Sequence, residues 1–199
     1  MSQETRGLTT KSVARSMLFF AIPIFFSNLF QQLYNAVDSL IVGNFIGGEA
    51  LAAVGSSGSL IFLLTGFVNG VSLGAGVLIA RHFGAGNDTA LHRTVHTTVA
   101  LGAAAGAVLT VIGVAFTPQI LRWMGTPDNV IGNSIIYFRI YFLGSIPVVL
   151  YNVGASILQS VGDSRSPMCY LIAASLLNVV LDLLFIAGFD MGVGSAALA

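Results

Sequence analysis

Two carboxylates, Asp38 and Asp182, stand well inside otherwise apolar runs, and acids at such a depth mark ion chemistry by default. An unpaired charge in a low-dielectric interior is costly, so the group takes up a proton, a compact cation or a partner. Two acids sharing one poorly solvated cavity cannot both stay ionised cheaply, which makes the pair a holder of a proton or a compact cation near neutral pH. Amide oxygens, here those of Asn178 and Gln31, complete the oxygen shell that a hard cation requires.

Each acid belongs to a series. Asn28, Gln31, Asn35 and Asp38 follow one another at three- and four-residue steps, which places them on one face of a helix. Ser175, Asn178 and Asp182 repeat the pattern, and Tyr137, Tyr141, Ser145, Asn152 and Ser156 recur at similar steps. Such faces cannot look at lipid, where polar groups go unsatisfied, so three helices are expected to contribute to one polar interior. Asp88, Asp128, Asp163 and Asp190 lie in or next to turns instead, where capping is the expected role.

The elements that position these residues follow from composition. The chain of 199 residues is 55% hydrophobic and 8% charged, against roughly 25% charged in a soluble domain. Water is therefore not its main solvent, and the fold class is an all-α integral membrane protein, a polytopic helical bundle. About 20 apolar residues cross a bilayer as a helix. Segments of that kind run over about 14–43, 50–80, 94–116, 130–158 and 168–189, and a sixth starts at 191. Residues 1–13 form an N-terminal arm and 14–199 a transmembrane lobe. Arg6, Lys11 and Arg15 precede the first run as in a signal peptide, but that run is too long and too polar at its far end, so it is read as a retained helix. Breakers punctuate the gaps: Gly47-Gly48, Gly84 to Asp88, Pro118 with Pro127-Asp128, and Gly162-Asp163. Pro23 and Pro147 are the kink candidates. Gly66, Gly70 and Gly74, like Gly102 and Gly106, have the spacing that lets membrane helices pack backbone to backbone.

Charge gives orientation. Lys11, Arg15, Arg81, Arg93 and Arg165 fall on one side of the spans and Arg122 on the other, which makes the N-terminus cytoplasmic in a multi-pass protein of the cell (inner or plasma) membrane. Arg139 stands apart within the fourth segment, where it either snorkels to an interface or faces a wet interior. The balance of eight acidic and eight basic residues, without a basic run, argues against nucleic acid. No Walker-type loop supports use of ATP. Cys169 is alone, and His82, His92 and His96 lie beside Arg81 and Arg93 without metal-ligand company, so neither a disulfide nor a zinc cluster is expected. No nucleophile, base and orienting group converge, so the protein is not read as an enzyme, and no cofactor is expected beyond a bound proton or compact cation.

Five motifs in order resemble the multidrug and toxic compound extrusion (MATE) family: Ala-Ile-Pro in the first helix with QQLYNAVDSLIVGNFIGGEALAAVG (31–55), GAGVLIARHFGAG ending at Gly86, GDSRSPM (162–168), NVVLDLLFIAG (178–188) and MGVGSAALA at the end. The resemblance implies export of organic cations and other drugs against a proton or sodium gradient. It also implies twelve helices in two lobes around a central cavity, of which this chain supplies the first six-helix lobe and lacks the second. The family's ion-site residues carry over as Asp38, Asn178 and Asp182, with sodium or a proton as the bound ion. Gln31, Tyr137, Asn152 and Ser175 look by similarity like substrate-cavity neighbours, and Asn35 joins them from the polar series of the first helix. The helix-six threonine that often follows the alanine-rich motif would come after Ala199. Leu183 replaces a proline common in relatives, and Gly194-Ser195 alters the small-residue pattern.

Other functions compete with drug export. A lipid or oligosaccharide flippase of the same superfamily would want several cavity cations for anionic headgroups, and Arg139 is the sole candidate. A non-transporting membrane scaffold would tolerate replacement of its interior acids. The expected partners are small-molecule drugs or toxic organic cations, the lipid bilayer and a second lobe of the same protein.

Overall fold

The apolar runs wind into helices wherever turn residues allow. The computed structural model describes residues 13–189 and 194–198. Helix α1 spans Val13–Phe45, α2 Gly48–Gly84, α3 Asp88–Trp123, α4 Asp128–Leu143, α5 Ser145–Ser160 and α6 Arg165–Asp182. A π-helical segment, Leu183–Gly188, continues α6, and a short α7 covers Gly194–Leu198. Among the described residues there is no strand.

Among the described residues four helices are individually long and apolar enough to cross a membrane, and α4 with α5, bent by 50°, meet the same standard of length and composition as a pair. Large apolar side chains cover the outside: Phe62 is 80% exposed, Leu73 72% and Trp123 83%. The interior, by contrast, includes the polar residues Asp182, Ser134 and Thr117. That inversion suits a chain whose surroundings are lipid.

The bend falls where Pro147 enters. Lacking an N–H, Pro147 cannot bond the Leu143 carbonyl and its ring crowds that oxygen, so the helix breaks at Gly144 and restarts with proline in its first turn. Residues 130–158 are accordingly two helices rather than one. The Thr110 hydroxyl of α3 donates to the Phe142 carbonyl at 3.0 Å, which ties the joint to a neighbouring helix. Pro23 behaves differently: α1 continues through it, with Ser27 Oγ donating to the Pro23 carbonyl at 2.9 Å. Pro118, expected to mark a turn, lies inside α3, which runs on to Trp123. Pro118 leaves the Val114 carbonyl without its helical donor, while the Thr117 hydroxyl bonds the adjacent Gly113 carbonyl; proline is tolerated within membrane helices in this way without ending them.

Helix α3 packs most extensively on α5 and α4, and α1 on α6. The α3 seam depends on small residues. A Cβ added at Gly102 would lie 2.9 Å from Val153 Cγ2, and one at Gly106 2.9 Å from the Ile146 Cα. Gly66, Gly70 and Gly74 form no such seam: nothing among the described residues lies within 4 Å of an added Cβ. The face of α2 that packs carries Val68, Ser72, Gly76 and Ile79, all buried, and the three glycines point elsewhere around the helix. Gly76 is the close approach on that face, and Ser156 Oγ of α5 donates to the Ser72 carbonyl at 2.7 Å.

The turns obey local chemistry. Gly86 takes φ 66° and Gly162 φ 93°, a left-handed backbone open to glycine at little cost. Asn87, not Asp88, caps α3, accepting the Ala90 N–H at 3.0 Å, while Asp88 and Asp128 sit in the first turns of α3 and α4. Asp163 accepts from Ser166 Oγ at 2.6 Å, Ser166 N at 3.0 Å and Arg165 N at 3.1 Å. These bonds, led by the Ser166 hydroxyl, hold its carboxyl below the usual aspartate range. Asp190 lies outside the described residues.

Candidate functional site

Three helices each bring a pair of polar residues one turn apart to the same place. Helix α1 supplies Tyr34 and Asp38, α4 supplies Tyr137 and Tyr141, and α6 supplies Asn178 and Asp182. The Asp38 and Asp182 carboxyl groups lie close enough for a proton to bridge them. Tyr34 and Tyr137 both stand within electrostatic reach of the two acids, and Tyr34 also of Tyr141. Ile41, Val42 and Ile186 pack with Tyr137 into an apolar cluster beside the acids.

Burial here is severe. Asp182 is 0% exposed, Tyr137 is buried, and Asp38 and Asn178 are half-buried. Asp38 Oδ1, Asn178 Oδ1 and both carboxylate oxygens of Asp182 are buried without a hydrogen-bond partner among the described residues. Two acids and an amide thus converge as an acceptor-rich cluster in an apolar surround. Oxygens of that kind suit a proton or a small hard cation, which prefers carboxylate and carbonyl ligands. Among the described residues no three His, Cys, Asp or Glu side chains gather as a metal site.

The other expected cavity residues are exposed or bond within their own helices, and Asn152 adjoins Tyr141 of the cluster. Gln31 and Asn35 are exposed on α1, and Asn35 Nδ2 donates to Gln32 Oε1 at 3.3 Å. Asn152 Nδ2 donates to the Val148 carbonyl at 2.8 Å and borders a crevice with Tyr141, Thr65 and Ser145, next to the α4–α5 bend. Ser175 Oγ donates to the Leu171 carbonyl of its own helix at 2.8 Å. Of the five cavity candidates, Tyr137 is the one buried within electrostatic reach of both acids. Tyr34 was missed by the sequence reading, although its place four residues before Asp38 is the signal that would have found it.

Two features frame the site. Immediately after Asp182 the helix loosens into its π segment, with the Phe189 N–H donating to the Leu184 carbonyl at 3.0 Å. The winding therefore changes beside the acid without a proline at 183, and π turns recur at functional positions in helices. Arg139 is exposed on α4 together with Gly132, Ile136 and Leu143, a side of the helix turned away from Tyr137 and Tyr141.

Comparison with known proteins adds identity to this geometry. The MatE family model matches residues 23–184. A probable multidrug resistance protein of Bacillus subtilis, YoeA, is 39% identical over 184 residues, covering 92% of this chain and 40% of its own. The multidrug export protein MepA of Staphylococcus saprophyticus is 25% identical over 187 residues, covering 94% and 42%. A solved outward-facing multidrug resistance MATE transporter of the MOP superfamily superposes with a TM-score of 0.91 at 27% identity, over 100% of this chain and 44% of that one. The chain spans about two fifths of the length of these curated relatives.

Proposed function

Because the chain belongs to the MatE family, we propose that it forms the N-terminal lobe of a secondary active multidrug efflux transporter, which exchanges organic cations for protons or sodium ions at Asp38, Asn178 and Asp182. The observation that carries this reading is the convergence of unpartnered buried oxygens on those three residues. An ion or proton there neutralises charge that otherwise attracts a cationic drug. Linkage makes the effect mutual: if the ion weakens drug binding by some factor, the drug expels the ion by the same factor, typically 1–3 kcal/mol for coupled sites. A multi-pass chain with its N-terminus cytoplasmic and a second lobe facing the exposed polar side of α1 would complete the exporter.

Drug export is favoured over the flippase reading by the placement of Arg139. It lies on the side of α4 away from the acids, so the one cation available for an anionic headgroup is not in the polar cluster. A scaffold role gives no reason for two acids to be buried together without partners.

The test is binding of a fluorescent organic cation to the purified full-length protein, titrated at several pH values and sodium concentrations. Asp182→Asn and Asp38→Asn are each expected to leave drug affinity nearly independent of pH and sodium, removing a coupling of about 5- to 150-fold, and to abolish gradient-driven export. Asp128→Asn, in the first turn of α4, should behave as wild type. Unchanged ion dependence in both single variants, with export intact, would place coupling elsewhere and make these acids structural.

A further inference from the structure

The turn between α2 and α3 gathers basic side chains that the exporter reading does not use. Arg81 and His82 occupy the last turn of α2, and His92, Arg93 and His96 the early turns of α3. Counted from the helix ends, Arg81 and His92 both stand about 5 Å back from the turn, so the two groups share one level. Arg81, His92, Arg93 and His96 are exposed and His82 is half-buried.

These side chains are not needed as caps. The Arg81 carbonyl accepts from Ala85 N at 3.0 Å and the His82 carbonyl from Asn87 N at 3.1 Å, and Asn87 serves the start of α3. Opposing charge is scarce among the described residues. Asp88 is the one acid in the turn, and Asp163, at the same end of the bundle, is engaged with Ser166 and Arg165.

Below this cationic rim the surface is apolar. Ala100, Ala104 and Val111 continue the exposed side of α3 that Arg93 begins, and Val77 and Leu73 are exposed on α2. Basic groups at the end of an apolar wall match the anatomy of a phospholipid. We infer that the α2–α3 turn is a docking seat for an anionic phospholipid, its phosphate held by Arg81 and Arg93 with imidazole N–H groups alongside, and its acyl chains laid on α2 and α3. Guanidinium forks suit phosphate oxygens in geometry as well as charge. The inference does not depend on which ion or drug the acids handle.

The experiment titrates detergent-purified full-length protein with phosphatidylglycerol, phosphatidylcholine or inorganic phosphate and follows thermal unfolding. Phosphatidylglycerol should raise the unfolding temperature, and the other two should not at equal concentration. Each basic residue near an anionic surface contributes a factor of about five, so Arg81→Gln with Arg93→Gln should require about thirtyfold more phosphatidylglycerol for the same rise. Arg93→Gln alone should require about fivefold more, which keeps the test open if the double variant does not fold. Arg122→Gln, at the other end of the bundle, should titrate as wild type. An unshifted titration in the Arg81 and Arg93 variants, or equal stabilisation by phosphatidylcholine, would overturn the seat. Equal stabilisation by inorganic phosphate would likewise overturn it, in favour of an anion site without lipid.

Discussion

Gly113 is the position where a single methyl group should do most damage. A Cβ there would lie 2.6 Å from Phe142 Cδ2 and closer still to Cγ and Cδ1, whereas carbon atoms rest about 3.5–4.0 Å apart. The ring must retreat by about 1 Å or more. It has little room to do so. Phe142 is buried in a cluster with Leu121 and Phe138, stacks on Phe138 at 5.9 Å, and sits in the last turn of α4 with its carbonyl held by Thr110. Overpacking of this kind costs about 1–3 kcal/mol, offset by about 1 kcal/mol when alanine replaces glycine in a helix. Gly113→Ala should therefore lose up to about 2 kcal/mol, whereas Gly70→Ala, exposed and with open space around it, should gain up to about 1 kcal/mol. Unfolding of both variants and wild type in one detergent measures the difference directly. Adding Phe142→Leu to Gly113→Ala should recover part of the loss, a non-additivity expected only of residues in contact. If Gly113→Ala unfolds no sooner than Gly70→Ala, the α3–α4 seam is not built as described.

Two further outcomes follow from the turns. Asp163→Ala removes an acceptor of three hydrogen bonds at the start of α6 and should cost about 1 kcal/mol at neutral pH, typical of a lost cap. Because those bonds depress the Asp163 pKa below its ordinary 3.8, the stabilisation is full above that value and disappears as pH falls through the lower folded one; unfolding temperatures of variant and wild type should converge there. A gap that persists unchanged into strong acid would mean that the carboxylate is not the stabilising species. For orientation, single cysteines at Asp88 and at Met124 in a Cys169→Ser background should react with an impermeant thiol reagent from opposite sides, Asp88 from the cytoplasm, and the reverse pattern would invert the topology.

The spans and turns were legible because bilayer thickness and breaker residues leave few solutions. The joint at Gly144 was foreshadowed by Pro147, yet the same logic misplaced Pro118, which sits within α3 near a serviceable hydroxyl. A proline need not end a membrane helix, and whether it does depends on the surrounding packing, which the neighbouring sequence does not state. Glycine spacing had the same limit. Among the described residues Gly102 and Gly106 pack against a neighbouring helix and Gly66, Gly70 and Gly74 do not, because spacing fixes a face without saying what lies opposite it.

At the candidate site, members of the polar series differ in how they are satisfied, and the reason lies in donors and acceptors. Within a helix every interior N–H is already engaged, while a carbonyl can accept a second bond. Side chains that donate can therefore satisfy themselves on the preceding turn. Ser27, Ser39, Thr65, Thr94, Thr98, Asn152, Ser160 and Ser175 all do so, each bonding the carbonyl four residues back. An ionised aspartate only accepts, so its own helix offers it nothing. Asp38 and Asp182 must look across to other helices, and there the described structure gives each of them another acid and tyrosines rather than a basic partner. The sharper rule for a membrane chain is thus to weigh acceptor-only groups above hydroxyls at equal spacing. Applied to this sequence, it ranks Asp38 and Asp182 ahead of Ser175 and Asn152, which already bond a carbonyl of their own helices.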